Sequence, residues 1–313
     1  MTFTEKVKNE IISNKKVQPC CQISALSSFI RGAGTLISKG GNIGFEINSE
    51  NGDAIEYFAG VITSVFGLEP KLRVQKDNLT SKTKYRLTVL SSKSLMLLKE
   101  LGIITITDKG PTVNLLIDRY LVSDDCCKRS YIAGAFLGAG SVTVPSKTSK
   151  SRTSYHLEFV FSNYGSASDF SEVISLMGFI PKLTERKENF IVYFKNGDEI
   201  GDLLIFMGAK KSGFEVKDIV IEKEMNNATN RRFNCDISNI NKQIEASLKQ
   251  VKDITTIQET IGLDGLSVAL KQTANLRLEN RDATLEELAS ISGLTKSCLN
   301  HRFRKIAEIA KNL

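Results

Sequence analysis

Near the C-terminal end, polar and basic side chains recur at the spacing that places them on one face of a helix. The residues that share this face are Lys296, Ser297, Asn300, His301, Arg304 and Lys305. Asparagine and arginine can bond base edges through paired hydrogen bonds, and lysine can reach a base or a phosphate. From Thr295 onward, five Lys and Arg residues stand against one Glu. These residue types predict binding of double-stranded DNA.

Two helices joined by a tight turn must position this face. Thr284 is a predicted N-cap, and Glu287 completes a capping box three residues later. Gly293 lies in the turn, and Thr295 caps a second helix that we expect to run from Lys296 to about Ala310. The expected buried residues are Leu285, Leu288 and Ile291 in the first helix and Leu299, Phe303, Ile306 and Ile309 in the second.

With a further helix over 266–279, this pattern is typical of a helix-turn-helix. The alternative is an ordinary helical hairpin with a solvated face. The N-terminal turns of a recognition helix enter the major groove. The predicted DNA contacts are Thr295, Lys296, Ser297, Asn300, His301, Arg302, Arg304 and Lys305.

A second basic surface is predicted on a strand over 82–90. Alternation along a strand places Lys82, Lys84 and Arg86 on one face, and Arg73 lies in the strand before it. These four residues are candidate secondary DNA contacts. A solvated sheet face explains the pattern equally well.

The six cysteines include two adjacent pairs, Cys20-Cys21 and Cys126-Cys127. The remaining two are Cys235 and Cys298, and the chain has only two histidines. The absence of a Cys-x-x-Cys spacing argues against a zinc site and against a disulfide framework. We interpret both pairs as small buried residues at equivalent helix starts, without a redox role. No metal or other cofactor is expected.

The two pairs belong to an internal repeat with a constant offset of 106 residues. In the first copy we predict helices over 4–15, 20–33, 51–67 and 91–101 and strands over 41–48, 71–77 and 82–90. In the second we predict helices over 126–139, 165–178 and 197–207 and strands over 154–162, 182–187 and 189–195. Two such copies predict an α+β unit with pseudo-twofold symmetry and its sheets side by side.

The sequence predicts one or two long helices over 216–261, and two asparagine-rich stretches interrupt the helical pattern. Asn226-Asn227 is the first, and 230–236 is the second. Such residues favour local bonding of side chain to backbone, so a turn is the main interpretation and a DNA contact the alternative. The expected domains are a first repeat over 1–110, a second over 111–212, a helical linker over 213–262 and a helix-turn-helix domain over 263–313.

Composition is that of an ordinary globular protein, with 41% hydrophobic and 25% charged residues. The net charge of +7 suits a polyanionic partner. No segment approaches the roughly 20 apolar residues of a membrane span, and the N-terminus lacks the apolar core of a signal peptide. A cytoplasmic, nucleoid-associated protein without a membrane partner is therefore expected.

The segment from Ile132 to Ser141 resembles the LAGLIDADG helix of homing endonucleases. In that family, two such helices pack at the pseudo-twofold axis, and an acidic residue before the last Gly of each holds a metal ion. Ala33 and Ala139 occupy those positions here. A methyl group cannot ligate Mg²⁺, which needs oxygen donors. The resemblance therefore implies the fold without the nuclease chemistry.

A degenerate LAGLIDADG-like unit followed by a helix-turn-helix resembles the WhiA family of bacterial DNA-binding regulators over nearly the whole chain. The motifs that carry this resemblance are both cysteine pairs and residues 154–158, 230–236 and 295–302. The resemblance implies a transcription factor linked to cell division, chromosome segregation or sporulation, with other transcription proteins as further partners.

Two other functions stay open. An active metal-dependent nuclease would have to recruit other acids, and Asp124 and Asp125 are the nearest. A DNA-associated scaffold would instead use the repeats to bind a protein partner.

Overall fold

The computed structural model describes residues 2–14, 17–76, 83–145 and 154–313. The chain divides into two compact units, Met1–Lys223 and Glu224–Leu313. Each unit has a hydrophobic core of its own. The first is α+β and the second is helical, as the sequence predicts. No helix in the described ranges has the length and apolar character needed to cross a bilayer.

Helices and strands alternate along the first unit in two similar rounds. Its helices are α1 (Phe3–Ser13), α2 (Pro19–Ala33), α3 (Gly52–Phe66), α4 (Ser94–Glu100), α5 (Asp125–Ala139), α6 (Tyr164–Leu176) and α7 (Gly197–Met207), followed by the start of α8 (Lys210–Thr260). Its strands are β1 (Gly34–Lys39), β2 (Asn42–Ser49), β3 (Lys71–Lys76), β4 (Thr83–Val89), β5 (Ile104–Thr107), β6 (Gly110–Val113), β7 (Gly140–Thr143), β8 (His156–Phe161), β9 (Lys182–Arg186) and β10 (Asn189–Phe194).

The sheets confirm the internal repeat. One has the strand order β1-β2-β4-β3 and the other the order β7-β8-β10-β9, with antiparallel pairing throughout. Corresponding strands therefore occupy corresponding places in the two sheets. A separate hairpin, β5–β6, follows the first sheet.

The first strand of each sheet was missed by the sequence-based prediction, as was the β5–β6 hairpin. At Gly34 and Gly140 the chain passes from a helix directly into a strand, with extended backbone at both glycines. No loop residues mark the change of element, so periodicity alone gives no signal there. The predicted end of α3 at Gly67 is confirmed, because this residue adopts the left-handed conformation with φ 62°.

The helices α2 and α5 pack against each other in the middle of the first unit, which confirms the predicted pairing. Close approach depends on glycines. A Cβ added to Gly32 would lie 3.0 Å from the Cβ of Ala139, and one added to Gly138 would lie 2.9 Å from the carbonyl oxygen of Phe29. Gly134 faces the backbone of Ala25 in the same way. By contrast, Gly34 and Gly140 face the preceding turns of their own helices and do not contribute to the approach.

The predicted interruption near residues 226–236 is absent, since α8 is helical throughout this stretch. The Thr229 hydroxyl donates to the carbonyl of Met225 one turn earlier, at 3.0 Å, so this polar side chain bonds within the helix. The preference of asparagine against helix is well under 1 kcal/mol per residue, and the flanking helical residues outweigh it.

The second unit contains the C-terminal part of α8, then α9 (Val268–Glu279), α10 (Leu285–Ser292) and α11 (Lys296–Lys311). A short 3₁₀ turn, Leu263–Gly265, precedes α9. Ile254 and Ile257 of α8 are fully buried in this core together with residues of α9, α10 and α11. These two side chains lie in the segment that the sequence assigned to a linker.

Candidate nucleic-acid interface

Local capping signals define both helices of the predicted helix-turn-helix. The Thr284 hydroxyl accepts from the Glu287 N–H at 3.2 Å, and the Glu287 carboxylate accepts from the Thr284 N–H at 2.7 Å. This arrangement confirms the capping box. Gly293 ends α10 in the left-handed conformation, with φ 68°. Thr295 then caps α11 by accepting from the Cys298 N–H at 3.2 Å.

One side of α11 is buried. Leu299, Phe303 and Ile306 are at most 5% exposed and pack with Leu288 of α10 and with α9. Ile291 does not share this burial, because its side chain is 58% exposed. Its assignment to the apolar stripe was wrong: α10 is short, and Ile291 lies in its last turn, next to the chain reversal at Gly293.

The opposite side of α11 is exposed and basic. The exposed residues on it are Lys296, Ser297, Asn300, His301, Arg304 and Lys305. Lys296 makes a surface ion pair with Glu286, with 2.6 Å between Nζ and Oε1. Because both side chains are more than half exposed, this pair contributes little to stability and leaves the lysine available to a phosphate.

Two of the predicted contacts are engaged within the protein. The Arg302 guanidinium donates to the carbonyl of Ala269 at 3.3 Å and to the hydroxyl of Thr273 at 3.2 Å, both in α9. The Thr295 hydroxyl is occupied by the cap of α11. The structure therefore places Arg302 and Thr295 among the residues that hold the helix in position.

Arg277 in α9 was not identified from the sequence, although it packs against the buried face of α11. Its side chain is 1% exposed and its guanidinium lies 5.4 Å from the centre of the Phe303 ring. It donates to Gln250 Oε1 at 2.9 Å and to the carbonyl of Ala283 at 2.6 Å. Desolvation lowers its pKa.

The spacing of the apolar residues in α9 could have predicted that Arg277 is buried. This residue follows the buried Leu270 and Ala274 at helical intervals of four and three, which places it on the buried face. Sequence reasoning assigned no role to a charged residue in that stripe.

The second basic surface lies on β3 and β4. Lys84 and Arg86 are exposed and Leu87 is buried, which is the predicted alternation. Arg73 lies directly opposite Arg86 in the pairing of the two strands. An acid reduces the positive charge here, since Arg86 Nε lies 3.4 Å from Glu46 Oε1. Lys82 lies outside the described residues.

The degenerate metal positions, Ala33 and Ala139, lie at the same end of the α2–α5 pair. The contact of Gly32 with Ala139 and the contact of Gly138 with Ala33 show their proximity. Asp125 begins α5 and Asp124 precedes it, so both lie at the opposite end. Fourteen residues of helix span roughly 20 Å, which is too far for these acids to replace a carboxylate at Ala139.

Two LAGLIDADG-like repeats and a capped helix-turn-helix define a class: helix-turn-helix proteins with a tandem α+β unit. Three family models match the chain. The WhiA N-terminal LAGLIDADG-like domain matches residues 19–104, the WhiA LAGLIDADG-like domain matches residues 128–226, and the WhiA C-terminal HTH domain matches residues 229–310.

Whole-length relatives share these features. The probable cell division protein WhiA of Clostridium tetani is 36% identical over 318 residues, which cover 100% of this chain and 98% of the relative. The protein of the same name from Clostridium beijerinckii is 36% identical over 317 residues, with 100% and 99% covered. The chain therefore belongs to the WhiA family.

A solved structure confirms the fold. The crystal structure of full-length DUF199/WhiA from Thermatoga maritima matches with a TM-score of 0.59 at 23% identity, covering 100% of this chain and 99% of that one. The relatives are named as cell division proteins rather than as enzymes.

Proposed function

We propose that this protein is a sequence-specific regulator of transcription that binds double-stranded DNA through α11 and has no nuclease activity. It acts on the nucleoid in the cytoplasm, together with other transcription proteins. The names of its relatives support a role in cell division. Chromosome segregation and sporulation are the further processes that the family resemblance implies.

The observation that carries this proposal is the division of α11 into two faces. Its apolar face is buried against α9 and α10, while its polar face is exposed from the first turn onward. The major groove is about 12 Å wide and admits a helix of this kind. Asn300 lies in the N-terminal half of α11, where recognition helices meet base edges, and Arg304 lies one turn later.

Mapping of the genomic DNA bound in cells tests the proposal. We expect discrete sites upstream of genes for wild-type protein, loss of those sites for Asn300→Ala, and retention of them for Lys311→Ala. Lys311 is the matched control because it is exposed in the last turn of the same helix. Uniform coverage by the wild-type protein would refute the regulator proposal and favour a DNA-associated scaffold whose repeats bind a protein partner.

We propose the absence of nuclease activity because of the residues that occupy the metal positions of α2 and α5. Ala33 and Ala139 offer no oxygen ligand where the homing endonucleases have an acid, and a hard divalent cation requires such ligands. Within the described ranges, the one group of three or more side chains close enough to share a metal consists of cysteines.

A further inference from the structure

The fold brings the two cysteine pairs together. Cys20 and Cys21 lie in the first turn of α2, and Cys126 and Cys127 lie in the first turn of α5. Because these helices pair side by side, the four sulfur atoms all lie within 4.8 Å of one another. Cys21 and Cys126 are separated by 105 residues of sequence, and Cys21 Sγ lies 3.6 Å from the carbonyl oxygen of Cys126.

The sulfur positions approach those of a tetrahedral metal site. Zinc binds thiolates at about 2.3 Å, which places the sulfur atoms of a tetrahedral site about 3.8 Å apart. Cys126 Sγ and Cys127 Sγ are already 4.0 Å apart. Contraction of the whole group by about 1 Å or less would complete the site, which changes of cysteine rotamer can supply.

The surroundings suit a soft divalent cation. Cys21 and Cys127 are 1% and 2% exposed, whereas Cys20 and Cys126 are accessible to solvent and provide a path of entry. Neither α2 nor α5 has a side-chain N-cap bond. Both cysteine pairs lie in the first turn of a helix, where the partial positive charge of the N-terminus favours thiolates. Binding of a divalent cation supplies the charge that removes the protons of its thiol ligands.

We propose that Cys20, Cys21, Cys126 and Cys127 form a structural zinc site that links the two repeats at the start of the α2–α5 pair. One Zn²⁺ binds four sulfur atoms, four thiols release their protons to solvent, and no oxidant or reductant takes part. Four thiolates select a thiophilic metal over Mg²⁺ or Ca²⁺, which prefer oxygen. The site closes a long loop of chain and stabilises the first unit.

Metal titration of the full-length, fully reduced protein is the direct test. With Co²⁺ as the probe, we expect one equivalent to give the absorption of tetrahedral cobalt with thiolate ligands, and Zn²⁺ to displace it. The double variant Cys20→Ser/Cys126→Ser changes two exposed residues, leaves only two thiolates and should abolish this spectrum without loss of the fold. The double variant Cys235→Ser/Cys298→Ser removes the other two cysteines and should keep it. A wild-type protein without the spectrum, or an unchanged spectrum in the Cys20→Ser/Cys126→Ser variant, would overturn the proposal.

Alkylation followed by mass spectrometry provides a second readout. Zinc should protect Cys20 and Cys126 from alkylation by at least tenfold, while the exposed Cys235 reacts at an unchanged rate. Affinity should fall as the pH is lowered, because protons compete for the same sulfur atoms. Zinc at about a hundred times Kd should raise the Tm of the first unit by roughly 5 to 10 °C. Equal alkylation with and without zinc, or a disulfide between the repeats in place of metal binding, would also refute the site.

Discussion

Asn300 and Arg304 both project from the exposed face of α11, but they suit different kinds of contact. We expect Asn300→Ala to cost about 1–3 kcal/mol of binding free energy on the preferred site and far less on random DNA, because an amide reads base edges. Arg304→Ala should weaken both about equally and lower the salt dependence by about one unit, as loss of a phosphate contact does. Fluorescence anisotropy over a salt series measures both effects.

Lys311→Ala is the control for charge, since it removes a cation from the same helix at its far end. It should leave the preference between the two DNAs unchanged. If folded Asn300→Ala and Lys296→Ala proteins bind the native site as tightly as wild type, α11 is not the recognition helix, and the repeat unit becomes the better candidate.

Arg277 has a structural role and not a DNA-contacting one, because its guanidinium is buried against α11. Arg277→Met should lower the free energy of unfolding of the second unit by about 2–3 kcal/mol, because it leaves the carbonyl of Ala283 and the amide of Gln250 without their donor. Urea denaturation measures this change. Gln272→Met, a control in the same helix with an exposed side chain, should change stability by less than about 0.5 kcal/mol. A stable Arg277→Met protein with weakened DNA binding would instead assign Arg277 to the interface.

The α2–α5 contact depends on glycine where the two helices approach most closely. Gly138→Leu should reduce the stability of the first unit by about 1–3 kcal/mol, because the new side chain meets the carbonyl of Phe29 and the backbone of Ala33. Gly60→Leu is the matched control: Gly60 lies in α3 with open space around it, and this change should stabilise the helix by up to about 1 kcal/mol. Calorimetry of both variants measures the two effects. Equal effects of the two changes would contradict close packing at Gly138.

The exposed face of β3 and β4 is the second element with a predicted contact to DNA. Replacing Arg73, Lys84 and Arg86 by Ala should reduce the salt slope of binding by about 2–3 units if all three neutralise phosphates. Because Arg86 is already paired with Glu46, we expect a reduction nearer about 2 units. The control removes Lys182 and Arg186 from β9, which corresponds to β3, and Lys195, which directly follows β10. An unchanged slope would show that the basic face is only solvated.

For the whole molecule, the degenerate repeats predict binding without cleavage. Supercoiled plasmid incubated with the protein and Mg²⁺ or Mn²⁺ should remain intact at concentrations where anisotropy shows full binding, because neither Ala33 nor Ala139 can ligate a metal ion. The prediction fails if pure protein nicks the plasmid, a chelator stops the reaction, and the activity copurifies with the chain.

The sequence by itself determined the features that depend on neighbouring residues. The capping box at Thr284, the left-handed turn at Gly293 and the cap at Thr295 each involve groups within four positions of each other. The periodicity of Leu299, Phe303 and Ile306 is also local, and it separates a buried from an exposed face. The repeat is visible as well, because comparison of the two halves requires only residue identity, whereas the loss of both acids follows from the resemblance to homing endonucleases.

Only the tertiary structure decided the features that join distant segments. Arg302 bonds to α9 rather than facing solvent, and Arg277 packs against α11, because packing partners 26 to 33 residues away determine which way a long side chain turns. The cysteine pairs show the same limit most clearly. Their spacing in the chain argued against a metal site, yet the pairing of α2 with α5 gathers all four sulfur atoms, since distance in space depends on helix packing and not on position in the sequence.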